Sequence, residues 1–405
     1  PIFLLAGGPG QAAIEIFPFV LSQLNNLNNA RDIVLVDQRG TGESNPLDCV
    51  PFVEDLELDT DDEQVFGALA ECRESLAAEN DLTQYITDIA MRDLDAVRQQ
   101  LGYGQINLIG TSYGSRAAQR YMTLYPDQVR SAVLNGVTGS ELVLMLQAPQ
   151  DGQRALELLL ARCEADSGCA EAFPDLDETI ADLIGQVAGG IETEIVHPST
   201  SEKVTVEVNE ELLMQLVFNI MYSADLVSIL PLILTEAAES GDYSPIVGQG
   251  LLVSESAGLY QGLFYSVACT EDATLIDETA AEASNDGTFF PEMSVNLLQA
   301  CEGWPTAALD PAFRDPFQSD IPTLLLSGDA DPITPPTYAE ELLTGLSNGR
   351  HIVIPQYGHD VLTVGCVPNL VGEFISEATA ADLEDDCLAE IVPPPFFVSL
   401  TGPTP

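Results

Sequence analysis

Three residues in this chain have the types and the order that nucleophilic acyl transfer needs: Ser112, then Asp331, then His359. Ser112 is the centre of Gly110-Thr111-Ser112-Tyr113-Gly114, a GxSxG sequence directly after the apolar run Ile106–Ile109. A serine hydroxyl is a weak nucleophile until a neighbouring base takes its proton, and that base needs a third group to hold its tautomer. The GxSxG pattern supplies a tight strand-to-helix turn, in which the serine backbone is strained and flanking side chains would collide. The stretch from Ser115 to Leu124 is helix-compatible, and a helix N-terminus favours developing negative charge.

The base has to come from three histidines. His197 falls in a hairpin pattern, and His351 opens an apolar run, where a structural histidine is the plain reading. His359 lies in Tyr357-Gly358-His359-Asp360, after the last strand-like run, in the loop position where such a base is presented at a sheet edge. The run Leu324-Leu325-Leu326-Ser327-Gly328-Asp329-Ala330-Asp331-Pro332 supplies the acid. Asp331 is far enough into the loop to turn toward His359, whereas Asp329 sits nearer the strand end and is expected to cap the turn. Asp360, adjacent to the histidine, is expected to point away. The order nucleophile, acid, base is that of the α/β-hydrolase fold. One oxyanion donor is then the backbone N–H of Tyr113. The other is expected from Gly8 in Gly7-Gly8-Pro9-Gly10, where glycine lets the backbone approach closely and Pro9 offers no donor. This chemistry calls for no metal and no organic cofactor. Neither GxGxxG nor a Walker lysine occurs, and the cysteines form no CxxC zinc pattern.

Residues so placed need a sheet beneath them. Ile2–Ala6, Ile33–Val36, Ile106–Ile109 and Ala132–Leu134 are short apolar runs ending near Gly or Asp, and helical patterns alternate with them. Such runs predict parallel strands buried on both faces. Ile89, Leu94, Val97 and Leu101 predict a helix over Asp88–Leu101 with one apolar stripe. Strand patterns return at Thr323–Leu326 and Ile352–Ile354. Between the two sets lies a mainly helical stretch with one predicted hairpin, Glu192–His197 and Val204–Val208. The organisation expected is a catalytic α/β domain over 1–137 and 318–405, with a cap over 138–317. The tail Pro393-Pro394-Pro395-Phe396-Phe397 is apolar enough to pack on the body.

Acidic residues number 64 against 13 basic ones, for a formal net charge of −51. Such a surface repels nucleic acid and anionic membranes, so neither is an expected partner, and it suits a saline medium that screens self-repulsion. No run of eighteen uninterrupted apolar residues occurs; Leu212 to Leu234 is broken by Asn219, Ser223, Asp225 and Pro231 and reads as a pair of buried cap helices. Eight cysteines allow 105 pairings. Pairing of sequence neighbours is expected: Cys49–Cys72, Cys163–Cys169, Cys269–Cys301 and Cys366–Cys387. An even cysteine count favours an oxidising compartment, so the protein is expected to be secreted or periplasmic. Pro1 opens directly onto a strand run and is expected not to be the natural start of the chain.

Gly7-Gly8-Pro9-Gly10, Asp37-Gln38-Arg39-Gly40-Thr41-Gly42-Glu43-Ser44, Gly110 to Gly114, and Gly328-Asp329-Ala330-Asp331-Pro332-Ile333-Thr334-Pro335 occur together and in order. As a set they resemble the proline iminopeptidase family of serine peptidases, closest to its tripeptidyl aminopeptidase-like branch of secreted bacterial enzymes. The resemblance implies an exopeptidase acting on peptides with a free N-terminus, with the acid on Asp331 and Asp37 to Gly40 as a bracing loop. It also implies that the first strands of the fold are missing from this chain, and that Ala6 stands where the family has a histidine. An N-terminal exopeptidase must neutralise an ammonium. The segment Tyr265 to Asp272 follows an apolar run, is held by the expected disulfide at Cys269, and resembles the cap segment whose glutamate binds the substrate amine in that family. Glu271 is the expected anchor, with Asp272 second. A carboxylesterase using the same three residues is the open alternative, because nothing in the triad separates amides from esters. Oligomeric state is not legible.

Overall fold

Alternate residues of the first strand, β1 (Ile2–Leu5), feed two different cores. Ile2 and Leu4 pack with Ile109, Val133, Leu326 and Phe374 on one face. Phe3 and Leu5 pack with Leu108, Leu134, Leu325 and Tyr121 on the other. A strand apolar on both faces has to be covered on both, which is the setting of a parallel sheet flanked by helices. Each such side chain contributes about 1.5–3 kcal/mol when fully buried. The computed structural model describes residues 1–24, 26–49, 62–256, 258–381 and 383–403. After β1 come β2 (Ile33–Leu35), β3 (Ile106–Thr111) and β4 (Val129–Asn135), then a hairpin, β5 (Ile191–Val196) with β6 (Lys203–Val208), and finally β7 (Thr323–Gly328) and β8 (Gly349–Ile354). The main sheet has the order β2-β1-β3-β4-β7-β8, with every pair parallel. The chain goes from β1 outward to β2 and returns on the other side of β1 to form β3. That reversal opens a crevice at the carboxyl ends of β1 and β3, where open α/β sheets place their ligands. The loop Gly7–Gly10 and Ser112 both lie there.

The helix expected over Asp88–Leu101 runs from Thr87 to Gln100, but its buried face is rotated from the expected stripe. Leu101 is 53% exposed, whereas Asp88, Asp95 and Arg98 are buried with Ala90, Met91 and Leu94. The reason is electrostatic: Asp88 pairs with Arg120 at 2.7 Å and Asp95 with Arg98 at 2.7 Å, so charge is buried as satisfied pairs. Apolar periodicity carries no sign of such pairs.

Between β4 and β7 lie the hairpin and a set of helices with a core of their own, built on Leu156, Leu159, Ile180, Leu183, Leu213, Val217 and Ile233. This is the α/β-hydrolase fold with a large, mainly helical cap insertion. The stretch Leu212 to Leu234 forms parts of helices Glu210–Ile220, Ala224–Val227 and Leu230–Ser240. Packing does not follow the chain division at 317, because Leu263, Val267 and Trp304 join the core of the sheet rather than that of the cap. The apolar tail packs on the cap. Phe396 is buried in the cap core beneath the Arg162 guanidinium, and Phe397 N–H donates to Ser228 O at 2.9 Å. No helix among the described residues is long and apolar enough to cross a membrane.

All four neighbouring cysteine pairs are bridged, with Cα–Cα separations of 5.5, 5.1, 5.3 and 6.4 Å. Cys163 and Cys169 meet because the helix Ala148–Ala165 breaks at Asp166, whose extended backbone starts a second helix and whose carboxylate caps Cys169 N–H. Four disulfides suit an oxidising environment rather than the cytoplasm. Removing the Cys269–Cys301 bridge by a double serine substitution should cost about 3–4 kcal/mol, from the entropy of the loop that it closes. Denaturant unfolding measures the loss, and a change below about 1 kcal/mol would mean that the loop is held by packing alone.

Candidate active site

Ser112 lies between the end of β3 and helix Tyr113–Leu124, with φ 57° and ψ −125°. A non-glycine residue pays for that conformation in strain, so its surroundings must enforce it. They do so by contact. A Cβ on Gly110 would lie 2.1 Å from Gly114 O, and one on Gly114 would lie 2.2 Å from Leu5 O. Only glycine fits either place, which is the physical content of the GxSxG spacing. Ser112 N–H donates to Asn135 O at 2.8 Å, tying the turn to the end of β4.

His359 follows β8, with its backbone N–H on Tyr222 O at 3.0 Å and its ring edge-on to Tyr222 at 5.1 Å. His359 Nδ1 lies 2.9 Å from Asp331 Oδ2 and 3.0 Å from Thr334 Oγ1. The Thr334 hydroxyl donates to Asp331 Oδ2 at 2.7 Å, so it accepts from the imidazole. Asp331 is completely buried, and its Oδ1 accepts from the N–H groups of Ile333 and Thr334, each at 2.9 Å. Burial pushes the Asp331 carboxyl up, but the His359 charge and these hydrogen bonds outweigh it and hold the group below the usual carboxylate range. A charged Asp331 requires the proton on His359 Nδ1 and leaves Nε2 free to accept another. Burial lowers the His359 pKa; the charge and hydrogen bond of Asp331 outweigh it, so the net shift is upward.

The other titratable groups are accounted for locally. Asp329 accepts from Gln356 N–H and closes the turn after β7. Asp360 accepts from Asn135 Nδ2 at 2.8 Å and from Leu362 N–H at 2.9 Å. His351 is half-buried on β8 against Ser327 Oγ at 3.0 Å, and His197 accepts from the hairpin turn.

In the loop after β1, Gly7 N–H donates to Gln11 Oε1 at 3.1 Å, and a Cβ on Gly7 would lie 3.2 Å from that of Ser112. Gly8 N–H has no hydrogen-bond acceptor among the described residues. Tyr113 is the first residue of its helix, so its N–H has no intrahelical acceptor. Tyr260 N–H donates to Gly10 O at 2.9 Å and Leu259 pairs with Gln11, so the returning end of the insertion pins this loop.

Glu271 and Asp272 require a correction. Both are completely buried at the end of helix Gln261–Glu271. Asp272 accepts from Arg116 at 2.8 and 3.1 Å, from Arg314 at 2.6 Å and from Leu144 N–H at 3.0 Å. Glu271 accepts from Thr87 N–H at 2.7 Å and Thr87 Oγ1 at 2.9 Å. Burial pushes the Glu271 carboxyl up to about 7, against the opposing charge of Arg116. With its oxygens so engaged and no surface exposed, neither acid is open to a substrate amine. Two arginines, at positions 116 and 314, draw these carboxylates inward, and no local pattern announces them.

Sequence reasoning also missed three contributors. Asn135 joins the nucleophile turn to the histidine loop, through its backbone O on Ser112 and its side chain on Asp360. Gly136 lies against the imidazole, where a Cβ would approach His359 Cε1 to 3.0 Å. Arg154, on the insertion's first helix, donates to Asp329 O at 2.7 Å and Asp331 O at 3.0 Å, fixing the acid loop from above. Thr334 was visible as part of a motif, but its contact with the imidazole was not. In the loop Asp37–Gly40, Asp37 accepts from Ile14 N–H, and Arg39 pairs with Asp93 at 2.6 Å.

A family model described as alpha/beta hydrolase fold matches residues 1–166, and one described as TAP-like protein matches residues 288–387. Tripeptidyl aminopeptidase of Streptomyces lividans is 33% identical over 168 residues, covering 37% of this chain and 31% of that protein. Proline iminopeptidase of Lactobacillus delbrueckii subsp. bulgaricus is 30% identical over 141 residues, covering 35% of this chain and 37% of that protein. The matched stretch is well under half the length of either relative. Among solved structures, the proline iminopeptidase of Mycobacterium smegmatis aligns over 93% of this chain and 89% of its own, at 15% identity and a TM-score of 0.45.

Proposed function

We propose that this chain, a serine-hydrolase-type member of the α/β-hydrolase superfamily, is a secreted or periplasmic exopeptidase that releases residues from the free N-terminus of peptides. The observation that carries the reading is the imidazole of His359 held 2.9 Å from a buried Asp331, at the sheet edge that also presents a backbone-strained Ser112. The four ordered motifs and the peptidases among its relatives support the exopeptidase over other acyl transfers. Four disulfides and the acidic surface support export.

In this reading Ser112 Oγ attacks the scissile carbonyl carbon as His359 Nε2 takes its proton. Asp331 holds the Nδ1–H tautomer and stabilises the imidazolium. The carbonyl oxygen, now an oxyanion, accepts from the N–H groups of Gly8 and Tyr113, a term worth about 3 kcal/mol per donor in comparable hydrolases. His359 returns the proton to the leaving amine as the C–N bond breaks. Water, deprotonated by the same imidazole, then cleaves the acyl-enzyme ester and restores the Ser112 hydroxyl.

A panel of prolyl-, alanyl- and tripeptidyl-anilides, their N-acetylated versions and short-chain esters tests this. Free-amine anilides should be cleaved. Their acetylated forms should be slower by about two orders of magnitude or more, because an enzyme that requires a free N-terminus pairs the substrate ammonium, and a partner left unpaired out of water costs on the order of 3 kcal/mol. Turnover of esters with none of any anilide would make the protein a carboxylesterase instead.

A further inference from the structure

The buried Glu271 faces the residue after the nucleophile, through one threonine. Thr87 begins helix Thr87–Gln100, and its N–H and hydroxyl both donate to the Glu271 carboxylate. The single hydroxyl hydrogen of Thr87 is thereby committed. In its 2.8 Å contact with the Tyr113 phenol, Thr87 Oγ1 therefore accepts and the phenol donates. Gln38 Nε2 donates to the same phenol oxygen at 3.2 Å. Burial, reinforced by the charge of Glu271, pushes the Tyr113 phenol well up, so it keeps the proton that it donates. The result is a directed chain, from Gln38 to Tyr113 to Thr87 to Glu271. It gathers the loop after β2, two helix ends and the nucleophile turn at one side chain.

We infer that Glu271 is a positioning residue for the oxyanion donor: through Thr87 and the Tyr113 phenol it fixes the start of helix Tyr113–Leu124, and so the direction of the Tyr113 N–H. The inference rests on the acyl-transfer reading above. A strained turn persists only where its surroundings over-determine it, and the backbone at Ser112 is such a turn. The Tyr113 N–H has no intrahelical bond of its own to aim it, so the anchored phenol on the same residue does so. Preorganised donors act because they need not reorient as charge develops. Asp272 completes the device by taking the Arg116 guanidinium at 2.8 Å, which leaves Arg116 3.9 Å from Glu271 and the Glu271 oxygens to Thr87. An amide could not replace the carboxylate, because its NH2 would face one of the two Thr87 donors.

The test compares kcat and KM of Glu271→Gln, Thr87→Val and Thr87→Ser with wild type, on a neutral short-chain ester and on a free-amine tripeptidyl-anilide. Reactive Ser112 is counted in each by titration with a fluorophosphonate. Glu271→Gln and Thr87→Val should lower kcat about 10- to 100-fold on both substrates with KM little changed, less than the loss of a whole oxyanion donor. Thr87→Ser, which keeps both donors, should stay close to wild type. If Glu271→Gln does not fold, the valine and serine pair decides alone. Unchanged kcat in Thr87→Val, with only a lower Tm, would make the chain a packing feature. A loss confined to KM for the free-amine substrate would return Glu271 to amine binding. A wild-type protein that neither reacts with the fluorophosphonate nor cleaves either substrate would instead sink the acyl-transfer reading itself.

Discussion

Ser112→Ala and His359→Ala are each expected to lower kcat by on the order of 10⁶-fold while leaving the fold intact, because nucleophile and base act as one unit. The fold survives for local reasons. Alanine at 112 keeps the Cβ that packs near Gly7, and the strained backbone is enforced by Gly110 and Gly114 rather than by the hydroxyl. At 359 the losses are the ring contact with Tyr222 and the hydrogen bond to Asp331, whose carboxylate keeps the Ile333 and Thr334 N–H groups and the Thr334 hydroxyl as donors, while the backbone bond to Tyr222 O remains. The double variant should be no slower than either single one, since removing half of the unit already removes its function. Single-turnover kinetics with near-ultraviolet circular dichroism checks both parts. Residual activity above about 1% in either variant, with purity controlled, would move the chemistry to other residues.

Asp331→Asn should lower kcat by about 10⁴-fold, and Asp329→Asn by less than about tenfold. The reason lies in which oxygens are already committed. Oδ1 of residue 331 must keep accepting from the N–H groups of Ile333 and Thr334, so an asparagine places its carbonyl there. Its NH2 then faces His359 Nδ1, which has to become an acceptor. The imidazole proton moves to Nε2, and the base loses its lone pair toward the serine. An asparagine at 329 can still accept from Gln356 N–H, so that turn survives. The pH profile gives an independent readout. Neutral imidazole is the active form, so kcat/KM rises with pH through the His359 pKa. Burial alone would lower that pKa, and the Asp331 charge and hydrogen bond raise it above the ordinary value. Removing the charge should therefore shift the remaining rise to lower pH in Asp331→Asn and leave it in place in Asp329→Asn. The opposite ranking of the two variants would assign the acid to Asp329.

What could be read from the chain alone was whatever short-range sterics and covalent order dictate. Gly110 and Gly114 announce the turn because the clash that excludes side chains there is set within five residues. β1, β3 and β7 are legible because strands buried on both faces carry consecutive apolar residues rather than an alternating pattern. Neighbouring cysteines pair because short loops close at little entropic cost.

Tertiary structure alone decided where the charges went. Asp88, Asp95 and Arg98 lie outside the expected apolar stripe and Glu271 and Asp272 were expected to meet a substrate amine, yet all are buried in pairs or hydrogen bonds. Two of the partners of Glu271 and Asp272, Thr87 and Arg116, lie more than a hundred positions away. Hydrophobic periodicity reports the transfer of single side chains out of water. A buried carboxylate is stable only as one member of a pair, and pairing across such a separation leaves no mark on the residues flanking either partner. The same holds for Asn135, an ordinary strand-end polar residue until the fold brings the histidine loop across it.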